Sequence, residues 1–260
     1  MKFCALASGS SGNCFYIGEN EKNGGGILID AGISCKQICE RLNRIGKTPE
    51  QIKGIFITHE HSDHIKGADV FSRSFNTPVY ATKKTIKESF IISNTKMLND
   101  ISNHEQIDVG NLQVKAFSKS HKAADPVSFS VHDKKTSKTV SVITDAGHAC
   151  KNIIEAVSSS DLLCLESNHD LKMLEHGPYP YFLKQWIRSD MGHLSNMQAA
   201  LCVLEHGQKN MKNLVLAHLS ENNNTPNHAL KTFSILKERH DLHPHVSVSL
   251  RDAPSELLKI

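Results

Sequence analysis

The 260-residue chain lacks any run approaching the eighteen or more apolar residues that a membrane-spanning helix requires, which excludes an integral helical membrane protein. Its start, Met1-Lys2-Phe3-Cys4-Ala5-Leu6-Ala7, carries one Lys and only a short apolar run before Ser8-Gly9, too short for the apolar region of a signal peptide. Seven cysteines, odd in number and without a Cys-x-x-Cys pair, argue against a disulfide framework and place the chain in a reducing, cytoplasmic compartment. Cys35 and Cys39, four apart on an expected helix, read as small buried apolar residues rather than as a metal pair. No short-period repeat, low-complexity tract or Pro-rich linker interrupts the chain, so one compact domain over residues 1–260 is expected. A strong excess of charge of one sign is also lacking. A formal +3 with pI near 8.4 is below that of most dedicated nucleic-acid domains, so it permits a phosphate-bearing substrate without demanding one.

Histidine, in contrast, is abundant, with sixteen in the chain. The organising stretch is Thr58-His59-Glu60-His61-Ser62-Asp63-His64, directly after the apolar run Ile55-Phe56-Ile57. A strand there would end in a loop presenting three imidazoles and a carboxylate within six residues. Neutral imidazole with carboxylate suits zinc and neighbouring divalent ions, and ligands interleaved this tightly point to two metals. His59 and His61, two apart on extended backbone, face one side and can hold one ion; Asp63 and His64 then turn toward a second. The segment His59-x-His61-x-Asp63-His64-x-x-Gly67 resembles the metal loop of the metallo-β-lactamase fold superfamily.

The rest of the chain suits that resemblance. Phe3–Ala7 and Cys14–Ile17 read as strands around Ser8-Gly9-Ser10-Ser11-Gly12-Asn13, a stretch fit either for a hairpin turn or for backbone amides that cradle an anion. After a turn at Asn23 to Gly26, Ile27-Leu28-Ile29 ends at Asp30, a candidate carboxylate for orienting a ligand His. A helix from Ser34 to Ile45, capped by Ser34 and stopped at Gly46, follows. Further helices are expected over Lys66 to Phe75 and Thr82 to Phe90, with a strand at Val79–Ala81 between them. Gln106 to Ser118, Val127 to His132 and Val140 to Ile143 alternate like antiparallel strands with turns at Gly110-Asn111 and Lys134 to Lys138. From Asn152 onward helices and strands alternate, including strands at Leu162–Leu165, Leu214–Ala217 and Val246–Leu250 and helices over Tyr181–Arg188, Asn196–His206 and Asn227–His240. The layer solution is an α/β fold of helix, sheet, sheet, helix. The resemblance implies the same, a four-layer αββα sandwich.

Two metals need further ligands, and three positions stand at strand ends in polar surroundings: His121, Asp145 and His218. They resemble the superfamily's later metal motifs in chain order. By that resemblance His59, His61 and His121 hold one divalent ion, Asp63, His64 and His218 hold the other, and Asp145 bridges. β-Lactamases of the superfamily usually have Cys at the Asp145 position, so an Asp there implies phosphodiesterase, thioesterase or lactonase chemistry. Gly192-His193-Leu194-Ser195 and His218-Leu219-Ser220 resemble paired motifs of the tRNA 3′-processing branch, and Glu166 stands where that branch carries a Glu at a strand end. With Ser8 to Cys14 and Glu166-Ser167-Asn168-His169-Asp170, the chain is most similar to the WalJ (YycJ) group of bacterial metal-dependent hydrolases, which are thought to act as exonucleases on DNA.

The expected chemistry is a two-metal phosphodiester hydrolysis in which a hydroxide between the ions attacks, positioned by Asp145, with the ligand Asp63 also counted among the catalytic residues. His193, supported by Glu166, is the candidate acid for the leaving 3′-oxygen, with His169 as a further contributor. His and Asp accept zinc and manganese alike. Only 24 positions separate His121 from Asp145, and 73 separate Asp145 from His218, which leaves no room for a tRNA-gripping arm or an inserted nuclease domain. Grip on a nucleic acid, DNA by resemblance, must come from the core surface or from a second subunit of a homo-oligomer. Lys83, Lys84, Lys87, Lys134, Lys135 and Lys138 could touch phosphates but read first as solvated surface. The alternative enzymes are a cyclic phosphodiesterase and a glyoxalase II-like thioesterase; a diiron reductase is disfavoured by His61, and an interaction protein without turnover by the complete ligand set.

Overall fold

The computed structural model describes residues 1–21, 24–89, 97–238, 240 and 242–260. The expected turn residue Asn23, the expected helix end at Phe90 and part of the last expected helix turn, at Arg239, lie outside these residues. Two compact units are present: residues 1–118, 123–138 and 250–260 form the first, and 119–122 with 139–249 the second.

In the first unit, strands β1 (Lys2–Ala7), β2 (Cys14–Gly18), β3 (Gly26–Ile29) and, after helix α1 (Cys35–Arg44), β4 (Ile52–Phe56) precede α2 (Ser62–Ile65), α3 (Ala68–Phe75), β5 (Val79–Ala81), α4 (Lys83–Glu88) and β6 (Leu98–Asp100). An antiparallel meander follows: β7 (Gln106–Val109), β8 (Leu112–Ser118) and β9 (Val127–Asp133). The second unit contains β10 (Lys138–Ile143), which begins at the boundary, then α5 (Lys151–Ser159), β11 (Leu162–Glu166), α6 (Leu171–His176), α7 (Tyr181–Arg188), α8 (Asn196–His206), β12 (Asn213–Ala217), α9 (Pro226–Lys237) and β13 (His245–Val248). A last short strand, β14 (Leu258–Lys259), returns to the first unit and pairs antiparallel with β1.

Sequence pattern explains the sheets. In the first unit the order is β14-β1-β2-β3-β4-β5-β6, antiparallel through β3 and parallel from β3 to β6. β2 and β3 are buried at every position, as strands covered on both faces must be. In the second unit β10, β11, β12 and β13 pair in parallel, and Leu162-Leu163-Cys164-Leu165-Glu166 is buried throughout. β8 instead alternates buried and half-buried positions over most of its length, the period-two pattern of a strand with one wet face.

Helix ends follow local chemistry. Ser34 caps α1 with a capping box to Gln37, and Gly46 turns the chain out at φ 69°. Ser195 and Gln198 form the same reciprocal box on α8. Asp170 accepts from the amides of Lys172 and Met173 at the start of α6, a helix that periodicity did not reveal. The helix expected from Lys66 begins instead at Ala68. Gly67 gives its amide to Ala31 O, and a Cβ there would lie 2.2 Å from Ile33 O, so the chain is pinned to the β3–α1 loop before it can coil. The core of the first unit gathers Leu6, Tyr16, Leu28, Ile38, Leu42, Ile55, Phe71 and Val79, each side chain contributing about 1.5–3 kcal/mol by leaving water. None of the seven cysteines is disulfide-bonded, and Cys35 and Cys39 are half-buried against that core.

Candidate metal centre

In open α/β sheets functional groups collect beyond the carboxyl ends of parallel strands. Asp30 follows β3, and Thr58 and His59 follow β4 after Ile57. Asp145 follows β10 after Thr144, Glu166 ends β11, and His218 follows β12. Asp30, Asp145 and His218 all have left-handed backbone, with φ of 59°, 52° and 55°. Side-chained residues other than Asn, Asp and His visit this region rarely.

The donor set of the first unit is built on that turn. His59 is buried, and its Nε2 lies 2.9 Å from His61 Nδ1. The two rings, 4.4 Å apart between centroids, converge as alternation on extended backbone predicts. Asp63 and His64 sit on the single turn α2; His64 is fully buried and packs on His59 with ring centroids 4.1 Å apart. Behind it, Asp30 Oδ2 is 2.7 Å from His64 Nδ1 and accepts from the Thr58 hydroxyl at 2.9 Å, while Oδ1 accepts from the Thr58 amide at 2.8 Å. Asp30 therefore occupies the orienting place expected of it.

The Ser8 to Asn13 loop resolves its two readings in an unforeseen way. Asn13 is buried, takes the Gly9 amide on Oδ1, and sets its amide group 3.2 Å from His64 Nε2 and 3.4 Å from Asp63 Oδ2. Asn13 N also donates to Asp63 O, and Gly32 N donates to Asn13 O. A Cβ on Gly32 would fall 1.6 Å from Asp63 O, so only glycine lets the β3–α1 loop press against α2. Sequence reasoning did not assign Asn13 or Thr58; the Asn closing a Gly-flanked loop was the one available signal.

The second unit gathers Asp145, Glu166, His193 and His218, each offering a ligand atom within 4.8 Å of the others. Asp145 Oδ1 lies 3.6 Å from His218 Nε2, 3.7 Å from His193 Nδ1 and 3.9 Å from His121 Nε2. Glu166 Oε1 is shared, 2.8 Å from His193 Nδ1 and 2.7 Å from His218 Nδ1, and its Oε2 accepts from the amides of Ala146 and Leu194. The expected Glu166–His193 pair is present, and the same carboxylate also fixes His218, which the sequence did not indicate. Burial by itself would raise the Glu166 carboxyl, but the adjoining imidazoles outweigh it and hold it below the usual carboxylate range. Burial pushes His121 down to about 4, so its ring is neutral at pH 7, the form that ligates. The Trp186 ring stands 5.5 Å from His193 and 6.5 Å from His121.

These donors fit a divalent metal. They combine imidazole and carboxylate, and Nδ1 of His64 and Nδ1 of His218 are each backed by a carboxylate, Asp30 and Glu166, an arrangement that fixes the tautomer of a ligating histidine. Of the lysines considered for phosphate contact, Lys134 pairs with Asp108 at 3.1 Å and Lys135 with Glu21 at 2.7 Å, so both are engaged at the surface. Lys84 and Lys87 line a pocket with Glu60.

Comparison with known proteins defines the class. A family model described as a β-lactamase superfamily domain matches residues 26–219, and the chain belongs to that superfamily. It is 36% identical over 243 residues to the exodeoxyribonuclease YycJ of Bacillus anthracis, covering 92% of this chain and 90% of that protein. It is 35% identical to the exodeoxyribonuclease WalJ of Streptococcus pneumoniae serotype 2 (strain D39), with coverage of 86% and 83%. The metallo-β-lactamase fold protein YhfI of Bacillus subtilis aligns with a TM-score of 0.73 over 98% of each chain at 14% identity, a likeness of fold. The chain thus has the expected α/β sandwich class, two mixed sheets with flanking helices, and is a metal-dependent hydrolase. Among the described residues no helix is long and apolar enough to cross a membrane.

Proposed function

We propose that the chain is a nuclease that removes nucleotides from DNA in the 5′-to-3′ direction with the help of two divalent ions, zinc or manganese. The observation that carries this reading is the donor chemistry at the strand ends, imidazole and carboxylate only, with Asp145 rather than a thiolate after β10. Relatives named exodeoxyribonuclease that match over most of the chain support the substrate class. His59, His61 and His121 would hold one ion and Asp63, His64 and His218 the other, with Asp145 shared and the two units working as one domain. Such ions supply an ionised water near neutral pH and a Lewis acid for a phosphoryl oxygen.

The chain's own residues do the rest. Asp30 and Asn13 hold the side chains of the α2 turn, Asp30 at His64 and Asn13 at both Asp63 and His64, so that their donor atoms are kept in place. Glu166 holds Nδ1 of His193, which leaves Nε2 to deliver a proton to the leaving 3′-oxygen. Seven cysteines without a disulfide support a reducing, cytoplasmic setting. The test is cleavage of end-labelled single- and double-stranded DNA and RNA by protein loaded with zinc or manganese, with Asp63→Ala as control. Stepwise shortening of DNA from the 5′ end that vanishes in Asp63→Ala is the expected result; no cleavage of any nucleic acid under either metal would overturn the reading.

A further inference from the structure

Three residues beyond Glu166, His169 has no evident task. It is 1% exposed, and neither ring nitrogen has a hydrogen-bond partner among the described residues. A buried polar group left in this state costs about 1–3 kcal/mol, so a fold keeps one only for a reason. Its backbone is fixed, since His169 O accepts from Asn196 N at 2.9 Å and the residue bridges in parallel to Ser195. Burial lowers the imidazole to about 4, which leaves a neutral ring with one donor and one acceptor.

His169 also lines a pocket of about 330 Å³, together with Leu171, Arg188, Ser195, Met197 and Gln198. Ser195 and Gln198 are committed to each other in the α8 capping box. Leu171 and Met197 are 43% and 39% exposed, an apolar pair open to solvent, and the Met thioether can adapt to a flat guest. Arg188 is held only loosely, 3.4 Å from Leu171 O and 3.9 Å from Glu175. Seven residues before it, on the same face of α7 and about 10 Å along the helix, stands Tyr181, 76% exposed, followed by Phe182 at 74%.

An anion would find one cation and a neutral ring here. A nucleobase would find apolar faces and a guanidinium plane for stacking, with the unused donor and acceptor of the buried His169 imidazole just behind the pocket surface. We infer that this pocket receives an unstacked base of a single-stranded nucleic-acid end, with the exposed aromatics of α7 stacking bases farther along the strand. Ser195 follows His193 by two residues, so the captured base belongs to a nucleotide next to the scissile phosphodiester; the inference rests on the nuclease reading above.

Binding and turnover separate the two. Anisotropy of labelled, phosphorothioate-linked (dT)6 on the metal-loaded protein should show about tenfold tighter binding than the abasic hexamer of equal length. The double variant Leu171→Ala/Met197→Ala should erase most of that ratio. His169→Leu, which removes no hydrogen bond from the fold, should also erase most of it while leaving the melting temperature within a few degrees of wild type. Equal binding of base-bearing and abasic strands to wild type, as a phosphate site would give, overturns the base pocket, and so does a ratio that survives both variants. Hydrolysis of bis(p-nitrophenyl) phosphate, which has no nucleobase, reports on the hydrolytic chemistry separately: a wild type inert toward it and toward DNA refutes the nuclease reading, while the binding ratio still decides the pocket.

Discussion

Replacing Asp30 with Asn should strip metal from the first-unit donor set without unfolding the chain. Thr58 N can only donate, so it fixes the oxygen of the new amide at the Oδ1 place, 2.8 Å away. The amide nitrogen must then occupy the Oδ2 place, 2.7 Å from His64 Nδ1. Facing a carboxylate, that ring carries its proton on Nδ1 and keeps a lone pair on Nε2; facing an NH2 group, it relieves the clash by moving the proton to Nε2. The lone pair that would bind an ion is lost. Loss of such support costs about 10–100-fold in metal affinity, and losing the charged hydrogen bond destabilises the metal-free protein by about 1.5–3 kcal/mol. Asn tolerates left-handed backbone, so no strain enters at φ 59°. Competition with a chromophoric chelator gives the affinity, metal analysis after dialysis gives the stoichiometry, and urea unfolding gives the stability. Asp30→Asn protein that binds metal as tightly as wild type would refute the tautomer argument.

His193→Ala should keep its full metal content while turnover of a phosphodiester slows about a hundredfold or more; metal loss in that variant would place His193 among the ligands instead of the acids. For Glu166 the sign of the pH dependence follows from its lowered carboxyl. A group whose folded value is depressed adds stability above its unfolded value, near 4.5, and that stability is lost as pH falls below it. Metal-free wild type should therefore lose on the order of 2 kcal/mol more than Glu166→Gln between pH 5 and pH 3 by urea unfolding; parallel curves would show that His193 and His218 do not stabilise the carboxylate.

What could be read in advance was whatever depends on neighbours in sequence. The density of His and Asp after Ile55-Phe56-Ile57, the strand ends at Asp145 and His218, and the cap at Ser34 are all local, and the structure places each where the pattern put it. What escaped depends on contacts between distant residues. Gly67 delays α3 because its amide is taken by Ala31, Asn13 reaches Asp63 fifty residues away, and β14 exists only by pairing with β1. α6 gave no periodic signal, its six residues being too few to show one, and only Asp170 as a capping side chain pointed to it. Glu166 is an intermediate case, recognised at its strand end as a partner of His193, while its second imidazole, His218, comes from another strand.

The left-handed turns at Asp30, Asp145 and His218 act as a filter on residue type that operates before any question of chemistry. A valine or isoleucine placed there meets a backbone it disfavours, at a cost of about 1–2 kcal/mol each, whether or not a ligand is wanted. Drift at these three positions is therefore weighted toward Asp, Asn, His and Gly, two of which can still bind a divalent ion. Anyone transplanting this centre into another scaffold would have to carry over the bend at each strand end along with the side chains, because the same residues on a straight strand would point elsewhere.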